Sequence, residues 1–173
     1  MKRLLKNRKG LSTVVTTLII LVVSVLLATV VTYYAINMTT TRVQEENLKV
    51  TKAHIWANSS FQQAAFVIKN IGGRDTLIDK VQIRGYEIAW TSVYYNKSAS
   101  EPTSDLTLID NLVTHPDYTL ATADLSLKSG QCLTMYIDTP GTISVSDIGT
   151  TASITVFTAS AQYKVEVNVE SAS

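Results

Sequence analysis

The pattern of apolar and polar positions changes character along the chain. From Leu11 to Thr41 there is no Asp, Glu, Lys, Arg or His, and residues 11–36 (LSTVVTTLIILVVSVLLATVVTYYAI) are apolar on every side rather than along one stripe. As a helix this run rises about 39 Å, enough to cross a hydrocarbon core of roughly 30 Å with some tilt. Val, Ile and Thr are moderate helix formers, but lipid requires every backbone hydrogen bond to close within the segment, and that selects the helix. Tyr33 and Tyr34 fall where the segment would leave the bilayer. The helical pattern is expected to continue to residue 49, where Arg42/Glu46 and Glu45/Lys49 stand four apart and Ile36, Val43 and Val50 recur every seven.

Beyond residue 50 the period becomes two. Strands are expected over 54–57, 64–69, 77–84, 86–95, 132–137, 154–157 and 163–170, with weaker ones over 106–112 and 120–127. Turns are expected at Asn70-Ile71-Gly72-Gly73, at Gly85, and at Thr139-Pro140-Gly141, where Gly141 would take the positive φ of a type II turn. Residues 96–105 (NKSASEPTSD) read as a polar surface loop. The fold class is therefore α+β: a long hydrophobic N-terminal helix (11–49) followed by an all-β domain (50–173), with an immunoglobulin-like sandwich as the expected layout.

Composition matters mainly through where the charge sits. The whole chain of 173 residues has a formal charge of +1. Residues 1–10 hold Lys2, Arg3, Lys6, Arg8 and Lys9 with no acid, so they carry +5 and the remainder carries −4. The positive-inside rule puts the N-terminus in the cytoplasm and the β-domain outside. A remainder of that sign gives no reason to expect a nucleic-acid partner. One cysteine, Cys132, excludes an intramolecular disulfide or a cysteine cage for a metal, and its alternation with core-type residues reads as a small buried hydrophobe.

The junction Arg8-Lys9-Gly10-Leu11-Ser12-Thr13-Val14-Val15 places a short basic leader ending in Gly against the start of the apolar run. It resembles the class III signal of archaeal type IV pilins and archaellins. Bacterial type IV pilins usually begin with Phe and carry Glu at the fifth mature position; here those positions hold Leu11 and Val15, as in the archaeal branch. Residues 66–83, 127–137 and 154–169 resemble, in that order, the β-domains of the same proteins. The resemblance implies cleavage between Gly10 and Leu11, at a site formed by Lys9, Gly10 and Leu11, by a membrane peptidase of the prepilin type. It implies insertion in the cytoplasmic membrane as a precursor, then a homopolymer built through the N-terminal helix by type IV pilus-type assembly machinery, with adhesion or archaellum-type motility as its use. Helix association in such a bundle depends on small and hydroxylated side chains, which Thr13, Thr16, Thr17, Ser24, Ala28, Thr29 and Thr32 supply. A single-span anchored extracellular binding module that never polymerises is the competing reading.

The search for chemistry finds no nucleophile elbow, P-loop, dinucleotide fingerprint or zinc-protease motif. No enzyme, cofactor or metal is expected. His54 is placed on a strand and His115 in a Thr-His-Pro-Asp loop, both in surface or structural roles, and Asp75, Asp79, Asp105 and Asp110 are scattered through turns. Three N-x-S/T sequons occur, at Asn37, Asn58 and Asn96. Asn96, opening a polar loop, ranks first as a glycan acceptor, then Asn58 between two strands, then Asn37 at the membrane exit.

Overall fold

The computed structural model describes residues 2–43 and 45–172, with side chains described for 12–40 and 45–172. The chain divides into two units, the helix and everything after residue 43. Helix α1 runs Lys2–Val43. Its segment Ser12–Thr40, 29 residues whose most apolar 18-residue window has a mean hydropathy of 2.9, is long and apolar enough to cross a membrane, and none of that window is buried within the chain.

The helix stops earlier than the charge spacing implies. Glu45, Glu46 and Asn47 have no regular structure, and β1 (Leu48–Ala57) has already begun where helix is expected to persist to residue 49. Leu48 is buried and Val50 packs against the core. That burial outweighs the few tenths of a kcal/mol that the i,i+4 charge pairs would contribute to a helix.

The second unit is all-β. After β1 come β2 (Gln62–Asn70), β3 (Thr76–Ile83), β4 (Tyr86–Glu87), β5 (Val93–Ser98), β6 (Thr119–Leu120), β7 (Leu125–Leu127), β8 (Cys132–Asp138), β9 (Thr151–Thr158) and β10 (Gln162–Ser171). They form one curled sheet in the order β4-β3-β9-β10-β1-β2-β8-β5-β6, with β7 pairing β3. Every pairing is antiparallel except β1 with β10, which are parallel and register only Ile55–Ala57 against Val169–Ser171. The sheet folds about that join, so Ile78, Val81, Ile83, Ile154 and Val156 of one half meet Phe66, Ile68, Leu133, Met135 and Ile137 of the other in one core. Short strands close both ends of the ladder, which leaves little free edge for pairing with another chain.

Strands β2 and β8 are buried on both faces. Their outward residues Ala65, Val67, Cys132 and Tyr136 join Trp56 and Tyr94 in a second cluster, covered by Leu106 and Leu112. Residues 99–118, which lie between β5 and β6 with no regular strand, are thus a strap over one half of the sheet. The expected strand at 106–112 is replaced by this irregular segment. Cys132 is fully buried, as its alternation implies. Two local readings also change. The left-handed residue at the 139–141 turn is Thr139 (φ 48°), not Gly141. Residues 86–95 form two strands separated by a 3₁₀ turn, Trp90–Ser92.

Candidate functional site

Among the described residues, most of the exposed large hydrophobic side chains lie on α1. Its hydroxyls turn inward onto the helix backbone: Thr16 donates to the carbonyl of Ser12, Thr17 to Val14, Ser24 to Ile20, Thr29 to Val25 and Thr32 to Ala28, at 2.7–2.9 Å. With the O–H satisfied locally, what each residue presents outward is mostly a small, nearly apolar contour. Ala28, Thr29 and Thr32 line a shallow apolar groove with Val25, Tyr33 and Ile36. Tyr33 and Tyr34 stand 70% and 65% exposed. Five of the seven expected packing residues thus have their hydroxyls internally bonded, and Ala28 has none. Thr13 also has a partner. The side chains of Lys9, Gly10 and Leu11 lie outside the described residues.

A set of polar side chains binds the strap to the sheet. Lys52 sits at a bulge in β1 with φ 49°, and its Nζ donates to the carbonyls of Pro102, Thr103 and Ser104. Thr51 donates to Glu101 at 2.7 Å. The His54 ring stacks on Trp56, with centroids 5.2 Å apart and planes 6° from parallel. Its Nε2 lies 3.1 Å from Asp105 Oδ1 and its Nδ1 3.3 Å from Glu170 Oε1, contacts that are both hydrogen bonds when the ring is doubly protonated. Gln63, wholly buried, pairs with the backbone of Ile109 in both directions, each bond 3.0 Å. Tyr136 donates to the Thr107 carbonyl at 2.9 Å, and burial pushes its phenol pKa upward.

Read from sequence, His54 is an isolated strand residue. The structure gives it two carboxylate partners 51 and 116 positions away. A signal was present: Lys52, His54 and Trp56 alternate on β1, although the bulge interrupts a simple period of two. His115 instead packs beside Tyr118, 5.0 Å between centroids. Among the described residues no group of three or more His, Cys, Asp or Glu side chains could hold a metal ion. The arrangement is one of attachment: five distinct side chains hold one irregular segment against β1, β2 and β8.

Asp105 has its pKa lowered, first by the hydrogen bond from His54 and then by the Leu106 backbone N–H. Asp147, bound by Ser144 and Arg84, is lowered too. A carboxylate whose pKa falls on folding adds stability above its unfolded value, and that stability is lost as pH drops through the folded value. The strap is therefore expected to loosen below the ordinary carboxylate value of 3.8. Trp56 fluorescence should report this as a transition below that pH, and Asp105→Asn should remove it. A wild-type signal flat down to the onset of global acid unfolding would refute the attachment.

The sequons fall differently from their expected order. Asn96 is half-buried within β5, opposite Thr134, rather than at the start of a loop. Asn58 lies in the turn between β1 and β2, where its Oδ1 accepts the Ser60 N–H at 2.9 Å and Ser59 and Ser60 are exposed. Asn37 is on α1, as expected. Both asparagines are half-buried; Asn58 lies in a turn beside exposed Ser59 and Ser60, and Asn96 in a paired strand.

No protein-family model matches the chain, and no curated protein is significantly similar to it in sequence.

Proposed function

We propose that the chain is an exported structural protein with one apolar helix and an exterior β-domain. More particularly, we read it as a pilin-like subunit of an archaeal type IV pilus-like filament serving adhesion. One observation carries this reading: a helix segment without a single charge, unburied by its own chain, stands directly behind a +5 leader, while the β-domain completes its core without it. Such a helix needs an apolar environment, first lipid and then its neighbours.

The leader supplies the switch between them. With five positive charges attached, drawing the N-terminus out of the cytoplasmic leaflet into apolar surroundings costs several kcal/mol. Once a prepilin-type peptidase cuts between Gly10 and Leu11, the helix exchanges lipid for an equally apolar bundle at little solvation cost. The back-bonded hydroxyls favour that exchange, because they carry no unmet hydrogen bond into the bundle. In this reading the two facing halves of the sheet are an immunoglobulin-like sandwich joined at one side by β1 and β10, and Asn58 is its first glycan site. An archaellin of a motility filament uses the same parts. A single-span anchored binding module would need the same helix but neither the cut nor the bundle.

The N-terminal sequence of the exported protein tests the proposal. A mature start at Leu11 is expected, and Gly10→Arg should leave the precursor uncut in the membrane with filaments lost. An intact Met1 on the surface protein, or normal filaments from the Gly10→Arg variant, would sink the reading.

A further inference from the structure

Residues 45–47, which lead into β1, are held from two sides. The amides of Ile71 and Gly72 both donate to the Asn47 carbonyl, at 2.9 and 3.0 Å, and the Gly73 amide donates to Glu45 at 3.3 Å. The turn that offers these donors is itself braced. Asn70, wholly buried, donates from Nδ2 to the carbonyls of Arg74 and Leu127 and accepts the Gly72 N–H on Oδ1. Ser129 donates to the Gly72 carbonyl at 2.6 Å. A Cβ on Gly72 would lie 2.6 Å from the Glu45 carbonyl oxygen and 2.7 Å from the Asn47 nitrogen. Both neighbours are backbone atoms, so the glycine is what lets the linker lie this close.

From the other side, Thr158 at the end of β9 donates its hydroxyl to the Glu46 carboxylate at 2.5 Å, and Tyr163 of β10 donates to the Glu46 carbonyl at 3.4 Å. This matters because of how the sheet is joined. β1 and β10 register only Ile55–Ala57 against Val169–Ser171, at the C-terminal end of β1. At the N-terminal end of β1 no ladder pair connects the two strands. Glu46 makes the connection there, tying the β2–β3 turn to β9 and β10.

We infer that residues 45–47 form a mechanical latch, closing the curled sheet at the N-terminal end of β1 and sharing force transmitted along the preceding chain between both halves. Tension applied at Glu45 meets the Asn47 and Glu45 backbone bonds and the Glu46–Thr158 bond together. Without the latch it would meet Leu48 opposite Asn70, the first pair of the β1–β2 ladder, and peel that ladder one pair at a time. The inference is independent of the filament reading, since a single-span anchor would load the same residues.

Two measurements on the full chain in detergent micelles test it. In the wild type, hydrogen exchange at Ile71, Gly72 and Gly73 should be protected to nearly the level of the sheet amides. Gly72→Ala should speed exchange at residues 71 and 73 by about 100-fold, as a local opening does, with the β8 amides unchanged. Glu46→Ala leaves the turn's own bracing intact and should speed it by about tenfold. In single-molecule pulling between residue 41 and the C-terminus, both variants should yield at lower force than wild type. Unprotected turn amides in the wild type, or wild-type unfolding force in Glu46→Ala, would overturn the latch. Gly72→Ala that fails to fold leaves Glu46→Ala to decide.

Discussion

Gln63→Leu is expected to cost the β-domain about 2–4 kcal/mol and to free the strap while the main core stays folded. Gln63 sits on the outward face of β2 with no exposure, and its amide pairs both ways with the Ile109 backbone. Leucine has similar bulk but no donor or acceptor. The Ile109 N–H and C=O then stay buried without partners, and each such group costs about 1–3 kcal/mol. Part of that is recovered if the strap lifts and water reaches them, which is why local opening should precede global unfolding. Denaturant titration with amide exchange at Ile109 separates the two. Gln63→Glu keeps the acceptor but buries a charge facing a carbonyl, so it should be at least as damaging. Unchanged stability and unchanged Ile109 exchange in the Leu variant would mean that the strap is held without Gln63, by its apolar contacts and the remaining polar bonds.

The same residue shows why part of this fold is legible in the sequence and part is not. Helix α1 is plain because a run without charges permits few alternatives. Strand β10 is plain because Tyr163, Val165 and Val167 alternate with Lys164, Glu166 and Asn168. Both signals are local. The strap is not local: Leu106, Leu108, Ile109 and Leu112 keep no strand period, and they are covered only because Trp56, Tyr94 and Tyr136 converge beneath them from three other strands. Gln63 looks like a solvent-facing position of an alternating strand until that cover exists. Asn96 likewise opens a polar stretch yet pairs in β5, because β8 offers it an open edge. The linker is the converse error. Arg42, Glu45, Glu46 and Lys49 are spaced for a helix, but burying Leu48 and bonding residues 45 and 47 to the turn at Gly72 gain more than a further helical turn would. Where long-range burial competes with weak local preference, the burial wins.

Val22→Arg should separate insertion from assembly. Fourteen Leu, Ile and Val residues lie between Ser12 and Thr40. At about 0.3–0.6 kcal/mol each on the insertion scale, the thirteen that remain once Val22 is replaced outweigh the ~2.5–3.5 kcal/mol that one central arginine costs. The variant should still be recovered in the membrane fraction, its guanidinium drawing water and headgroups toward itself. A bundle of identical helices offers no such relief. Every subunit would bring one cation to the same depth, among side chains whose hydroxyls are already committed to their own backbone carbonyls at Ser24 and Thr29. The filament reading therefore predicts membrane-inserted, processed subunits and no filaments, with Val22→Leu as the control that assembles normally. The anchor reading predicts undiminished surface display of the β-domain and nothing further to lose. Filaments of normal length from the arginine variant would show that residue 22 faces no neighbour, and the packed-helix account would have to be abandoned for one in which the β-domains alone hold subunits together.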